Sequence, residues 1–247
     1  MDMDNKNINP IFFIGPGKSG TTFLYNLMKD NSLNLGKIKE SNHFFKKKPL
    51  ERYLNEYKEN RIIDFSNIYF WNPNIGLKII DYFPNAIIIV IKRNPYSRLA
   101  SHINYLYSRG EIIGDWKEYL KNNRDLFLSI DFDFYRGRWK NLFRENYIEL
   151  DFNKISDINY LNQELGRFIP PMKNTNPNKY STYPTKGNKI LSLFFSIGKI
   201  STHFLPGKII QLIKEKVEPV TIKIFGTKVE ESISDKDIIE FYKSNGL

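Results

Sequence analysis

The sequence has no cysteine in 247 residues. That excludes a disulfide framework, cysteine-ligated zinc and thiol catalysis, and it fits a reducing cytoplasm, the expected location. Long apolar runs are missing too. The longest, at 86–91 and 190–197, fall well short of the ~20 residues that span a bilayer. Residues 1–10 open with an acidic Met-Asp-Met-Asp, show no signal-peptide pattern and are expected to fray. No internal repeat is present, and the length suits one α/β domain over 1–247 with a substantial core. Acidic residues are outnumbered: 27 Asp and Glu against 37 Lys and Arg give a formal charge of +10. That sign admits nucleic acid, an anionic membrane surface or a strongly anionic ligand, and the abundance of Asn, Ile and Lys makes part of it compositional.

The chain is organised around residues 11–28, IFFIGPGKSGTTFLYNLM. Four apolar residues read as a short buried parallel strand. Gly15, Pro16, Gly17 and Gly20 then break the run before an apolar helical pattern starts. Strand, glycine turn and helix make an anion cup: backbone N–H groups, the hydroxyls of Thr21 and Thr22, the helix N-terminus and the Lys18 charge all supply donors. A Walker A loop also requires a glycine five places before Gly17, where this chain has Phe12. An ordinary ATP or GTP loop is therefore disfavoured, although a nucleotide kinase or NTPase stays an alternative, as does a noncatalytic anion-binding module.

Residues 86–91 are a continuous apolar, β-branched run bounded by Pro84 and Pro95, the pattern of a strand buried on both faces. Arg93-Asn94-Pro95-Tyr96-Ser97-Arg98-Leu99-Ala100-Ser101 follows. Arg93 at a strand end offers a rigid bidentate fork for phosphate. Pro95 suits a first helical position, which puts Ser101 about two turns into that helix.

Lys18-Ser19-Gly20-Thr21-Thr22 resembles the 5′-phosphosulfate loop of sulfotransferases that use 3′-phosphoadenosine 5′-phosphosulfate (PAPS), and residues 93–101 resemble the 3′-phosphate segment of the same family. Residues 39–45 are similar to the segment Lys-Glu-x-x-His-Phe-Phe of its heparan sulfate type and bacterial relatives. The resemblance implies a three-layer P-loop-like α/β fold with a mostly parallel central sheet. It also implies sulfuryl transfer from PAPS to a hydroxyl or amine, leaving adenosine 3′,5′-bisphosphate (PAP), with no metal required.

In that family pattern Pro16, Gly17, Lys18, Ser19, Gly20, Thr21 and Thr22 hold the 5′-phosphate. Arg93 and Ser101 take the 3′-phosphate, and Lys186 with Gly187 form a basic loop over the nucleotide. Glu40 is the general base, His43 its competitor for that role, and Lys18 the group that neutralises the leaving oxygen. Lys39, Phe44, Ser66 and Tyr69 fall on the acceptor side; the segment that contains the last two is Asp64-Phe65-Ser66-Asn67-Ile68-Tyr69, with Asp64 where the family has Glu and Asn67 where it has Pro. The sequence does not identify the acceptor: a glycan or glycan-containing molecule is the expectation, with lipid-linked sugars and small metabolites also open. No nucleic-acid partner is expected, while peripheral contact with a membrane surface stays open.

Elsewhere the sequence predicts a short strand at 36–39, a surface helix at 49–60, helices at 115–127 and 132–143, and a strand at 147–152. A helix capped by Ser156 or Asp157 should run to Leu165. Residues 173–189 read as a functional loop or linker. Residues 190–217 read as amphipathic helix, and Ser234 opens a capping box before a last short helix.

Overall fold

A computed structural model describes residues 8–46, 49–57, 62–112, 114–123, 132–174, 185–186, 227–228 and 232–246. In chain order its elements are β1 (Ile11–Phe13), α1 (Thr21–Asp30), α2 (Leu50–Leu54), β2 (Ile63–Phe65), α3 (Asn74–Tyr82), β3 (Ile87–Lys92), α4 (Pro95–Ser108), α5 (Trp116–Asn122), α6 (Phe132–Phe143), β4 (Tyr147–Asp151), α7 (Ile158–Leu165), β5 (Thr185–Lys186), β6 (Thr227–Lys228) and α8 (Asp235–Ser244). Short 3-10 turns at Asn67–Trp71, Arg144–Asn146 and Phe152–Lys154 link some of them. The chain divides into two compact units: Met1–Arg93 with Phe132–Ser181, and Asn94–Asp131 with Thr182–Leu247.

The first unit holds a four-stranded sheet in the order β2-β1-β3-β4, parallel throughout. Strand side chains alternate between faces, and here both faces are apolar, so each carries its own core. Phe12, Ile14, Ile88 and Val90 pack with Tyr53 of α2, Ile75 and Ile79 of α3, and Trp139 and Phe143 of α6. On the other face Ile11, Phe13, Ile87, Ile89 and Ile91 pack with Leu24, Leu27 and Met28 of α1 and with Leu161 and Leu165 of α7. Helix, sheet and helix make the three-layer α/β fold that the sequence predicts.

Four local expectations are corrected. Residues 36–39 form no strand; a single parallel bridge, Leu35 to Ile63, stands there instead. The segment is drawn off the sheet toward the end of α2, where Lys37 donates N–H to the Glu56 carbonyl at 3.2 Å and Nζ to the Asn55 carbonyl at 2.7 Å. The surface helix at 49–60 shortens to Leu50–Leu54, and its Tyr53 and the following Tyr57 are buried rather than superficial. The fraying expected over 1–10 does not extend to Ile8 and Pro10, which are buried, the Pro10 carbonyl accepting from Ile87 N–H. Finally, within the loop read at 173–189, Thr185–Lys186 pairs antiparallel with Thr227–Lys228. Residues 190–217 and Gly187 lie outside the described residues.

In the second unit, Leu99, Ala100 and Ile103 of α4 pack with Leu120 of α5 and with Ile238, Phe241 and Tyr242 of α8. Pro95 does open α4, with the Asn94 side chain accepting from the N–H groups of Tyr96 and Ser97. The capping box on α8 is complete: Ser234 Oγ accepts from Asp237 N–H and the Asp237 carboxylate accepts from Ser234 N–H. Among the described residues no helix is long and apolar enough to cross a membrane.

Candidate active site

Because all four strands of the first unit run the same way, their carboxyl ends open on one edge, where ligands bind in sheets of this kind. Four pieces of chain meet there: the loop after β1, Ser66 and Asn67 after β2, Arg93 after β3, and Phe152 after β4.

Close packing dictates the glycines of the first loop. A Cβ on Gly15 would stand 3.1 Å from the Ile91 backbone nitrogen. Gly20 lies in the left-handed region at φ +88°, and its Cβ would meet Ile155 Cδ1 at 2.3 Å. Between them Lys18 is also left-handed, at φ +68°, a conformation that costs a non-glycine residue about 1–2 kcal/mol. Gly20 supplies no side-chain cap to α1, so the first amides of that helix keep unmatched donor capacity. Ser19 is fully buried, yet its Oγ has no hydrogen-bond partner among the described residues. Thr21 is buried beside it. A buried hydroxyl with no partner among the described residues, in a loop that opens an uncapped helix, offers donors of the kind that bind an anion.

Arg93 closes over this loop. Its Nη1 donates to the Lys18 carbonyl at 2.5 Å, its guanidinium lies 4.1 Å above the Phe152 ring, and its Nε is buried without a partner. Burial lowers its pKa, the mark of a cation deprived of solvent and short of counter-charge.

On the β2 side stands Glu40, left-handed at φ +62°, with its N–H donating to the Phe65 carbonyl at 2.8 Å. Its Oε1 accepts from Asn67 Nδ2 at 3.3 Å and pairs with Lys39 Nζ at 3.4 Å. The same Nζ donates to Thr22 Oγ1 at 2.8 Å, so Lys39 ties the carboxylate to the start of α1. Glu40 Oε2 has no partner among the described residues. Glu40 is thus beside the glycine loop although the strand expected to carry it there is absent.

His43 is placed differently from Glu40. It is buried, with its ring 4.7 Å from Tyr53 and edge-on to Phe44 at 5.1 Å. Three residues assigned to the acceptor side are likewise interior. Phe44 lies in the aromatic core with Phe12, Tyr69 and Phe83. Ser66 and Tyr69 are fully buried, accepting from Asn42 N–H and Phe44 N–H, both at 3.1 Å. Both hydroxyls thus face backbone amides of the segment that follows Glu40. Ser101 lies in α4 of the second unit, half-buried, and Lys186 in β5 of that unit.

Two participants escaped the sequence reading. Phe152 lies under the Arg93 guanidinium but has no sequence signal beyond its place after a strand. Asn67 was visible only as a departure from the family segment, and that departure was the signal.

No protein-family model matches the chain, and neither does any curated protein. Among solved structures it is similar to a sulfotransferase from Alicyclobacillus acidocaldarius, at 15% identity and TM-score 0.59, over 82% of this chain and 96% of that one. The sulfotransferase domain of the Synechococcus PCC 7002 olefin synthase aligns over 100% of this chain and 98% of its own, at 14% identity and TM-score 0.46. The likeness to the Alicyclobacillus enzyme is one of architecture: this chain has the mixed α/β fold of a sulfotransferase.

Proposed function

We propose that the protein transfers a sulfuryl group from PAPS to a hydroxyl or amine of an acceptor, a glycan or glycan-containing molecule, and leaves PAP. One observation carries this reading. Two buried donors without partners among the described residues, Ser19 Oγ and Arg93 Nε, stand at the same sheet edge as the Glu40 carboxylate, of which only Oε1 is engaged among those residues. The first pair suits a phosphorylated donor and the second a proton-losing acceptor. The cysteine-free composition fits a cytoplasmic setting.

When bound, PAPS supplies a sulfuryl group attached to a phosphate that serves as leaving group. Residues 16–22 hold its 5′-phosphate through loop amides and hydroxyls. Arg93 is assigned to the 3′-phosphate, with Ser101 assigned on the sequence motif alone, as are Lys186 and Gly187 over the nucleotide. Lys18 carries the charge that offsets negative charge growing on the leaving oxygen, and one well-aimed donor of this kind contributes on the order of 3 kcal/mol. Together with the loop amides it fills the place that magnesium has in phosphoryl transfer. Glu40 accepts the acceptor's proton at Oε2, because Oε1 is held by Lys39 and Asn67. Lys39 then also stands where an acceptor approaches.

The test is titration calorimetry with PAP and AMP, beside a screen for transfer of radiolabelled sulfate from PAPS to glycans, lipids and metabolites. PAP should bind far more tightly than AMP and, at a hundred times its dissociation constant, stabilise the fold by about 2.7 kcal/mol. Equal affinities would overturn the nucleotide assignment. Magnesium-dependent ATP turnover without PAP binding would make the protein a kinase or NTPase.

A further inference from the structure

Beneath the Glu40 turn lies a buried carboxylate with no part in the chemistry above. Asp64 of β2 is 1% exposed and accepts three hydrogen bonds: Ser66 Oγ to Oδ1 at 2.5 Å, and Ser41 Oγ and Tyr53 OH to Oδ2, each at 3.0 Å. Two of the three donors lead to the catalytic turn. Ser41 directly follows Glu40. Ser66 turns its own proton to Asp64, which leaves its lone pairs to accept from Asn42 N–H at 3.1 Å. Glu40 and Asn42 flank Ser41, and both are left-handed, at φ +62° and +51°. Non-glycine residues keep such backbone only where surrounding contacts over-determine it.

We propose that Asp64 is a positioning residue: its carboxylate clamps the chain on both sides of Ser41 and so fixes Glu40 at the sheet edge, between Lys39 and Asn67. This rests on the reading of Glu40 as the base. Only a carboxylate serves all three donors at once, because it offers two oxygens and no hydrogen. The amide of Asp64→Asn offers one oxygen. Its single oxygen keeps the larger number of donors by taking the place of Oδ2 beside Ser41 and Tyr53, so the NH2 faces Ser66 and the Ser66 arm of the clamp is lost. Global stability need not fall with it, since removing a buried charge offsets lost hydrogen bonds.

Amide hydrogen exchange on the full chain decides the matter, with wild type, Asp64→Asn and Ser66→Ala compared, and with PAP as the probe ligand. In both variants the Asn42 amide should exchange roughly tenfold faster or more. The Leu24 amide in α1 and the PAP dissociation constant should stay within about threefold of wild type. Turnover of PAPS with an acceptor found in the screen should fall in kcat with donor KM unchanged. Adding Asp64→Asn to Glu40→Gln should slow the enzyme no further, whereas a purely structural role would slow the double variant more. Wild-type exchange at Asn42 in both variants overturns the proposal and leaves Glu40 as base. Wild-type turnover by Glu40→Gln removes the base assignment instead, and the exchange rates at Asn42 then decide by themselves whether the clamp exists.

Discussion

Gly20 is where fold and ligand site make the same demand, and replacing it with alanine separates two costs. The first is backbone strain: at φ +88° an L-residue meets its own carbonyl, worth about 1–2 kcal/mol. The second is packing: the new methyl would stand 2.3 Å from Ile155 Cδ1 and 3.4 Å from the Phe152 ring. Ile155 is buried, so relieving that overlap moves a side chain within a filled core, at about 1–3 kcal/mol. Alanine also restricts the unfolded chain and recovers about 0.4–1 kcal/mol. Gly20→Ala should therefore destabilise by about 3 kcal/mol, measured by urea unfolding.

The structure also predicts how to divide that figure. Ile155→Val deletes Cδ1 and little else, and alone should cost about 1 kcal/mol. In its presence the overlap vanishes and Gly20→Ala should cost only about 1 kcal/mol, the backbone share. The double-mutant cycle should accordingly show a favourable coupling of about 2 kcal/mol between two positions far apart in sequence. PAP binding should follow the same pattern: at least tenfold weaker in Gly20→Ala as the loop amides are displaced, and partly restored in the double variant. An additive cycle, or unchanged PAP affinity in Gly20→Ala, would refute the reasoning that this contact shapes the anion loop.

Lys18→Ala should lower kcat by roughly 10²–10³ while weakening PAP binding far less, because its charge matters most as the leaving oxygen develops. Arg93→Ala should do the reverse, and calorimetry beside steady-state rates would expose any failure of that division. Glu40→Gln should drop turnover by roughly 10²–10⁴. His43→Ala should mainly destabilise, since its ring packs on Tyr53; a folded but inactive His43→Ala beside an active Glu40→Gln would reassign the base. For Asp64, burial raises the carboxyl pKa above 3.8 against the opposing pull of the hydroxyls it accepts from, Ser66, Tyr53 and Ser41. The folded state thus holds this proton more tightly than the unfolded one, so the contribution is full below the unfolded value and is lost as pH rises through the folded one. Wild-type stability relative to Asp64→Asn should fall as pH climbs from about 4 and then level off, while a flat difference in urea midpoints would contradict the raised value.

The parts of the fold legible in the sequence are those encoded by neighbours along the chain. The apolar run before Gly15, the β-branched run before Arg93, Pro95 at a helix start and Asp157 as a cap all describe local geometry, and all reappear in place. The strand expected at 36–39 failed because four residues cannot show a period, and Lys37 finds its partners at the end of α2. Ser66 and Tyr69 were legible as residues of interest but not in their role. Their hydroxyls turn inward to backbone amides of the Glu40 turn, which is a property of the folded contact and not of the segment.

Lys18 and Glu40, the two residues assigned to the chemistry, both hold backbone that glycine would adopt without strain. Glycine at either place would relieve about 1–2 kcal/mol, yet each carries a long charged side chain. The strain is met from outside the segment in both cases. Arg93 takes the Lys18 carbonyl and is itself backed by Phe152, while the Phe65 carbonyl and the Asp64 clamp take the turn around Glu40. Lys39 joins the two turns through Thr22 and Glu40. A loop that only connected a strand to a helix would need none of this support. Left-handed lysine and glutamate held by separate sets of contacts at one sheet edge suit the proposed function, in which a cation and a base face the same bound molecule from two sides.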